Sequence, residues 1–263
     1  MDRWIGKSAV VTGASSGVGA CLVERLVGIG MKVAGLARRR DRLYEMMHRL
    51  NGMAKPPASF LAVPCDLSNE DEILAAFEIV ERILGPVHVL VNNAAVLAFE
   101  TIVDGDTATM RKILETNVLA AALCIREASH SMRRHGTAGH VVNINSIGGH
   151  EASQVHTPVS LYCASKYALA GMSESVRNEL AHLGTGIKVT SVSPGTIRTE
   201  MIKTVGVTDD EISKMPILEP TDVVNAIIYA LSTPKHVQVN ELIITPLKLE
   251  NPKKVVRIKK TSK

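Results

Sequence analysis

The sequence predicts an α/β fold: one doubly wound domain whose parallel sheet of about seven strands is covered by helices on both faces. Three observations predict it. Short aliphatic runs alternate with longer amphipathic segments along the 263 residues. The chain is 46% hydrophobic but only 3% aromatic, so its core must be aliphatic, as in strands buried on both faces. A glycine-rich turn, Thr12–Gly19, joins the first run to the first amphipathic segment.

In order, strands are expected at Ser8–Thr12, Met31–Leu36, Phe60–Val63, Val87–Val91, His140–Ile144, Ile187–Val192 and Leu242–Thr245. Helical periodicity marks Val18–Ile29, Asp41–Leu50, Glu70–Leu84, one long helix over Asp106–Arg134, then Leu161–Leu183 and a segment near Pro220–Leu231. Strands alternating with crossover helices make right-handed βαβ units, hence a parallel sheet. No linker or repeat divides residues 1–250, which are read as one domain, and residues 251–263 form a basic tail. The least regular stretches, Ile147–Val159 and Thr196–Glu219, follow carboxyl ends of strands, where open α/β sheets bind ligands. The second is expected to be a substrate lid.

Composition excludes several classes. The formal charge is +4, but Lys253, Lys254, Arg257, Lys259, Lys260 and Lys263 lie in the tail, and without those six the remainder carries −2. Such a body has no electrostatic footprint for nucleic acid. Cys21, Cys65, Cys124 and Cys163 stand far apart with no CxxC pair, as expected of reduced core thiols in a cytoplasmic protein. The first residues run straight into a strand, leaving no signal h-region, and no apolar stretch reaches the ~18 residues of a membrane span. His150, Glu151 and His156 share a loop without metal-ligand spacing, so no metal is expected.

The turn Thr12-Gly13-Ala14-Ser15-Ser16-Gly17-Val18-Gly19 places three glycines between a strand and a helix. Glycines there let the backbone turn tightly and bring N–H groups to a pyrophosphate at a helix N-terminus. Gly13, Ser15, Ser16, Gly17, Val18 and Gly19 are therefore candidate cofactor contacts, in a GxxxGxG spacing rather than GxGxxG. After the second strand the chain reads Ala37-Arg38-Arg39-Arg40, with no acid before Asp41. An acid at that place accepts the ribose 2′-hydroxyl of NAD, whereas a guanidinium grips the 2′-phosphate of NADP. Arg38 is expected to carry a preference for NADP, with help from Arg39 or Ser15.

This octet, with Asn92-Asn93-Ala94, Ser146, Tyr162-Cys163-Ala164-Ser165-Lys166 and Ser193-Pro194-Gly195 in that order, resembles the short-chain dehydrogenase/reductase family. The resemblance runs from Gly6 to Thr245 and implies a Rossmann fold, an NADP-dependent oxidoreductase and a homodimer or homotetramer. It implies that Asp66 and Leu67 border the adenine and that Asn93, with Ala94, holds the loop over the ribose. Pro194, Gly195, Ile197 and Thr199 should wrap the carboxamide edge of the nicotinamide. Ala95 departs from the family pattern, which has glycine after Asn-Asn-Ala.

Tyr162 and Lys166, four apart at the start of a helix, share a face. A free phenol titrates near ~10, so a poised acid/base needs a downward shift of about three units, or about 4 kcal/mol. The Lys166 ammonium and the nicotinamide charge are expected to supply it. The resemblance further implies that Ser146 donates to the substrate oxygen and Lys166 holds the nicotinamide ribose. It also implies that Asn117 kinks the long helix and holds a water linked to Lys166.

Ala95, Val96, Leu97, Ile147, Val155, Val159, Met201, Ile202 and Val205 are expected around the pocket mouth, with Arg198 and Lys203 the only nearby bases. That lining suits a bulky apolar alcohol or its carbonyl. The segments MDRWIGK, GLARRRDRL and Asn143–His150 resemble the insect farnesol dehydrogenase-like group and its vertebrate steroid-handling relatives. An isoprenoid alcohol is the first substrate class implied, a hydroxysteroid or general carbonyl the second. A non-catalytic NADP-binding regulator on the same fold is the rival of another class. The joint presence of Asn117, Ser146, Tyr162 and Lys166 argues against it.

Overall fold

In β1 (Ser8–Thr12), Ala9 and Val11 enter one apolar layer and Val10 the other. Val89 and Val91 against Leu90 repeat this alternation in β4 (Val87–Asn92). Successive side chains leave a strand on opposite sides, so a run buried throughout needs cover on both faces. The computed structural model, which describes residues 1–155, 157–204 and 207–247, supplies that cover with two helical layers. Helices α1 (Gly17–Ile29), α2 (Arg40–Met53) and α9 (Pro220–Ser232) bury their apolar stripes on one face. On the other lie α3 (Glu70–Leu84), α5 (Ala120–Arg134) and α6 (Tyr162–His182).

The remaining strands are β2 (Lys32–Ala37), β3 (Ser59–Pro64), β5 (His140–Ile144), β6 (Lys188–Pro194) and β7 (Glu241–Ile244). All seven pair in parallel in the order β3-β2-β1-β4-β5-β6-β7. The order reverses between β1 and β4, and the crevice outside the carboxyl ends at that switch point is where a ligand fits. Elements start and stop for local reasons. The Asn69 side chain accepts from the Asp71 and Glu72 amides to open α3, and Ile73, Ala76, Phe77 and Val80 then fall on its buried face.

Two expectations need correction. The single helix over Asp106–Arg134 is divided: α4 (Thr107–Leu114) passes through a π-helical turn, Glu115–Leu119, into α5. There the Ala120 amide donates to the Glu115 carbonyl, five residues back, which apolar periodicity does not reveal. The stretch expected to be irregular, Thr196–Glu219, termed the lid for that expectation, holds two short helices, α7 (Glu200–Lys203) and α8 (Asp209–Lys214), the latter opened by a Thr208–Glu211 capping box. Cys65 and Cys124 are buried, but Cys21 and Cys163 are half-buried rather than core residues, and all four are free. Among the described residues no helix is long and apolar enough to cross a membrane. The tail 251–263, His156 and Val205 lie outside the described residues.

Candidate active site

At the carboxyl ends of the strands the phosphate loop, the turns after β2, β3, β4 and β5, and the lid enclose a cavity of about 680 Å³. Backbone geometry explains two of the loop glycines. Gly13 sits at φ +66°, and a Cβ there would come within 2.9 Å of the Ala94 Cα. A Cβ on Gly19 would collide with the Gly13 carbonyl oxygen, so Gly19 shapes the loop without lining the cavity. Asn93 braces the turn from beneath: its Nδ2 donates to the Thr12 carbonyl at 2.8 Å, and the Asn93 and Ala94 amides both donate to Thr12 Oγ1 at 3.0 Å.

Gly13, Ser15, Ser16, Gly17, Val18, Arg38, Arg39, Asp66, Leu67, Asn93, Ala94, Pro194, Gly195, Ile197 and Thr199 all line the cavity. Arg38 is exposed beside Asp66. The backbone amide of Ser68 holds the Asp66 carboxyl below its ordinary range, with a smaller pull from the Arg38 charge. Arg39 is engaged otherwise: its Nε donates to Ser15 Oγ at 3.0 Å, its Nη2 to Ser16 Oγ, and its Nη1 to Glu200 at 2.7 Å. Glu200, absent from the sequence reading, thus joins the lid to the phosphate loop. Only its position at a helix start, five residues after Gly195, could have signalled it.

The reacting end lies between β5 and α6. Ser146 caps the turn Ile147–Gly149, its Oγ accepting from the Gly148 amide at 3.1 Å, and its hydroxyl is near enough to the Tyr162 phenol to pull its ionisation down. Lys166 is buried, donates from Nζ to the Ile144 carbonyl at 2.8 Å, and lies 5.6 Å from the Tyr162 ring centroid. Burial pushes the Tyr162 phenol up to about 12, against the pull of Ser146, and burial drives Lys166 down to about 8. The protein alone therefore moves the phenol away from neutrality, opposite to the expectation from the Tyr162–Lys166 pairing. Desolvation outweighs the pull of Ser146.

Asn117 does not line the cavity. It sits in the π-helical turn, where its Oδ1 accepts from the Val96 amide at 2.8 Å and its Nδ2 donates to the Val96 carbonyl at 2.9 Å and to Ser165 Oγ at 3.0 Å. Its side chain therefore ties the strand β4 exit to α6 beside Lys166. Asn145, next to Ser146, was missed: it is buried, lines the cavity, and its side-chain amide has no partner among the described residues.

Beyond Ser146 the wall is aliphatic but for Thr157, from Ala95, Val96, Leu97, Ile147, Val155, Val159, Met201 and Ile202, joined by Val207 and Met215. Arg198 and Lys203 do not line it; Arg198 pairs with Glu219 at 2.8 Å. His150 contacts Glu241 at 2.7 Å and Ser193 Oγ at 3.1 Å through Nε2. No three His, Cys, Asp or Glu side chains converge among the described residues.

A family model described as short chain dehydrogenase matches residues 7–210. The chain is 43% identical over 248 residues to the farnesol dehydrogenase of Aedes aegypti, covering 94% of this chain and 98% of that one. It is 36% identical over 252 residues to the human dehydrogenase/reductase SDR family member 11, covering 94% and 96%. Among solved structures, a short-chain type dehydrogenase/reductase from Mycobacterium marinum matches with a TM-score of 0.82 at 27% identity, over 92% of this chain and 95% of that one. A short-chain dehydrogenase from Sphingobium yanoikuyae in complex with NADPH matches with a TM-score of 0.77 at 26% identity, over 90% and 87%.

Proposed function

The chain belongs to the short-chain dehydrogenase family, an oxidoreductase fold that binds a nicotinamide cofactor, and from that premise we propose that it uses NADP(H) to interconvert an apolar alcohol and its aldehyde or ketone. A farnesol-like isoprenoid alcohol is the favoured substrate. The observation that carries this reading is the wall beyond Ser146: it is aliphatic but for Thr157, and no base lines it. Each buried methylene there favours binding by about 0.8 kcal/mol. The mosquito relative named farnesol dehydrogenase points to the same class.

The residues fit NADP. Gly13 and Gly17 hold left-handed backbone that leaves the loop open to a pyrophosphate, and the Arg38 guanidinium stands exposed in the lining where a 2′-phosphate would lie. The Sphingobium structure with NADPH supports that choice. When bound, the nicotinamide supplies or accepts the hydride.

In reduction Tyr162 gives the carbonyl oxygen its proton, and in oxidation it takes the proton from the alcohol. A phenol held up at about 12 by burial is fully protonated at neutrality, which suits the first role directly. Ser146 steadies the substrate oxygen beside it. Lys166 holds the ribose from the floor of the cavity, while Asn117 fixes the helix that carries it. The exposed Leu114, Leu119 and Tyr167 along α4, the π-helical turn and α6 support a homodimer or homotetramer, which light scattering checks.

The test is a chain-length series of prenyl and straight-chain alcohols, with hydroxysteroids alongside, read by NADPH absorbance. KM should fall with each added methylene until the pocket is full. A higher kcat/KM for short polyols than for ten- to fifteen-carbon alcohols would overturn the substrate class.

A further inference from the structure

At the opposite end of the sheet, where β1, β4, β5 and β6 begin, the chain encloses a second cavity of about 370 Å³. Arg3, Trp4, Lys7, His88, Lys188 and Lys235 form its walls, with the turn 136–139 and Gly186 at its rim. No carboxylate lines it, and among the described residues none of its four Lys and Arg side chains is ion-paired. General basicity of the chain does not produce this cluster, because residues 1–250 carry −2 overall.

The side chains divide the work. Lys188 is buried, and its Nζ is saturated by Thr233 and by the Pro234 and Val237 carbonyls, so it contributes charge rather than a free donor. Arg3 gives one Nη2 bond to the Leu231 carbonyl at 2.7 Å and stacks its guanidinium 4.8 Å from the Trp4 ring centroid, leaving further N–H groups. The Lys7 and Lys235 side chains are exposed and make no hydrogen bond among the described residues. Uncompensated repulsion marks the neighbours. Burial first, and then the charges of Lys7 and His135, hold His88 below its ordinary range; burial and then Arg3 do the same to Lys188.

We propose that this bowl binds a small phosphorylated anion carrying two or more negative charges, gripped by Lys7, Lys235 and Arg3 over the field of Lys188. A multivalent oxyanion cancels the repulsion that the protein leaves standing, and phosphate accepts from several donors at once. The site is separated from the cofactor cleft by the length of the strands, so it stands or falls independently of the reaction.

Trp4 is the only tryptophan of the chain and forms a wall of the bowl, so its fluorescence reports occupancy. Pyrophosphate is titrated at constant ionic strength into protein saturated with NADP⁺, which fills the phosphate contacts of the other cavity. Calorimetry follows the same titration. The expected result is a saturable change that chloride does not give, with a midpoint raised at least about tenfold in the Lys7→Gln/Lys235→Gln variant. Both positions are exposed, so the variant keeps its fold, which circular dichroism checks. A non-saturable change, an equal response to chloride, an unchanged midpoint in the variant, or silence in both fluorescence and heat would overturn the proposal.

Discussion

Glu200, the first residue of α7, is ion-paired to Arg39 at 2.7 Å while Arg39 also reaches Ser15 and Ser16, so one carboxylate fastens the lid to the phosphate loop. Arg42 joins the same carboxylate at 2.7 Å. A 2′-phosphate arriving beside Arg39 competes with Glu200 for that guanidinium. In Glu200→Gln the competitor is gone, and Kd for NADPH should fall by up to about fivefold, the worth of a half-exposed ion pair, with Kd for NADH nearly unchanged. Cofactor fluorescence measures both. Weaker NADPH binding in the variant would mean that Glu200 helps to close the site rather than to compete for it.

Arg38 is the exposed guanidinium nearest Asp66 and has no ion pair at hydrogen-bond distance among the described residues. Arg38→Asp should cut kcat/KM with NADP by at least about tenfold and narrow or invert the NADP/NAD ratio, since a bidentate phosphate contact is replaced by repulsion. Equal use of both cofactors by the unmodified protein would remove the basis of this assignment.

Tyr162→Phe keeps the ring and removes the proton, so turnover should fall by at least ~10²-fold with NADPH still bound. Lys166→Ala should weaken cofactor binding and rate together. The phenol itself can be watched. In the free protein burial sets its ionisation at about 12, and the positive ring of NADP⁺ should draw one of the four tyrosines to lower pH in ultraviolet difference titration. That component must be missing from Tyr162→Phe.

His140 is fully buried, bonds Thr190 Oγ1 through Nε2 at 2.8 Å, and is driven down to about 3 by burial and then by the charges of Lys188 and Arg3. The unfolded chain takes up that proton near 6.5 and the folded one only near 3, so stability is complete above 6.5 and is lost as pH falls through this window. Between pH 7 and pH 5 the loss from this group is about 2 kcal/mol. Urea unfolding of His140→Gln should lose that much less over the same interval. An identical pH slope in the two proteins would contradict the buried, neutral imidazole.

The central strands β1 and β4 were legible because each is a short, mostly aliphatic run buried on both faces, and α3 matched its expected limits, Glu70–Leu84, because Asn69 and Gly85 punctuate it. The loop and Arg38 that line the cavity were legible because glycine spacing and a guanidinium act through local backbone and charge. What escaped depends on contacts distant in sequence. Glu200 matters through Arg39 and Arg42, 161 and 158 positions earlier. The π-helical turn at Asn117 reflects hydrogen bonds to Val96 and Ser165 rather than any local pattern. The rise of Tyr162 follows from the burial that the assembled fold imposes on it, which a four-residue spacing does not encode.

Strand order also sets a timetable for synthesis. β1 is made first yet lies between β2 and β4, so it can pair on one side once Ala37 is available, while its other edge waits for the residues up to Asn92. At about 5–20 residues per second, a nascent chain presents that open apolar edge for a few seconds. An unpaired strand edge templates association with other chains. The ribosome-bound segment ending before β4 is therefore the moment of greatest aggregation hazard, and synonymous codons that slow translation between Pro64 and Val87 should lower soluble yield without altering the finished enzyme.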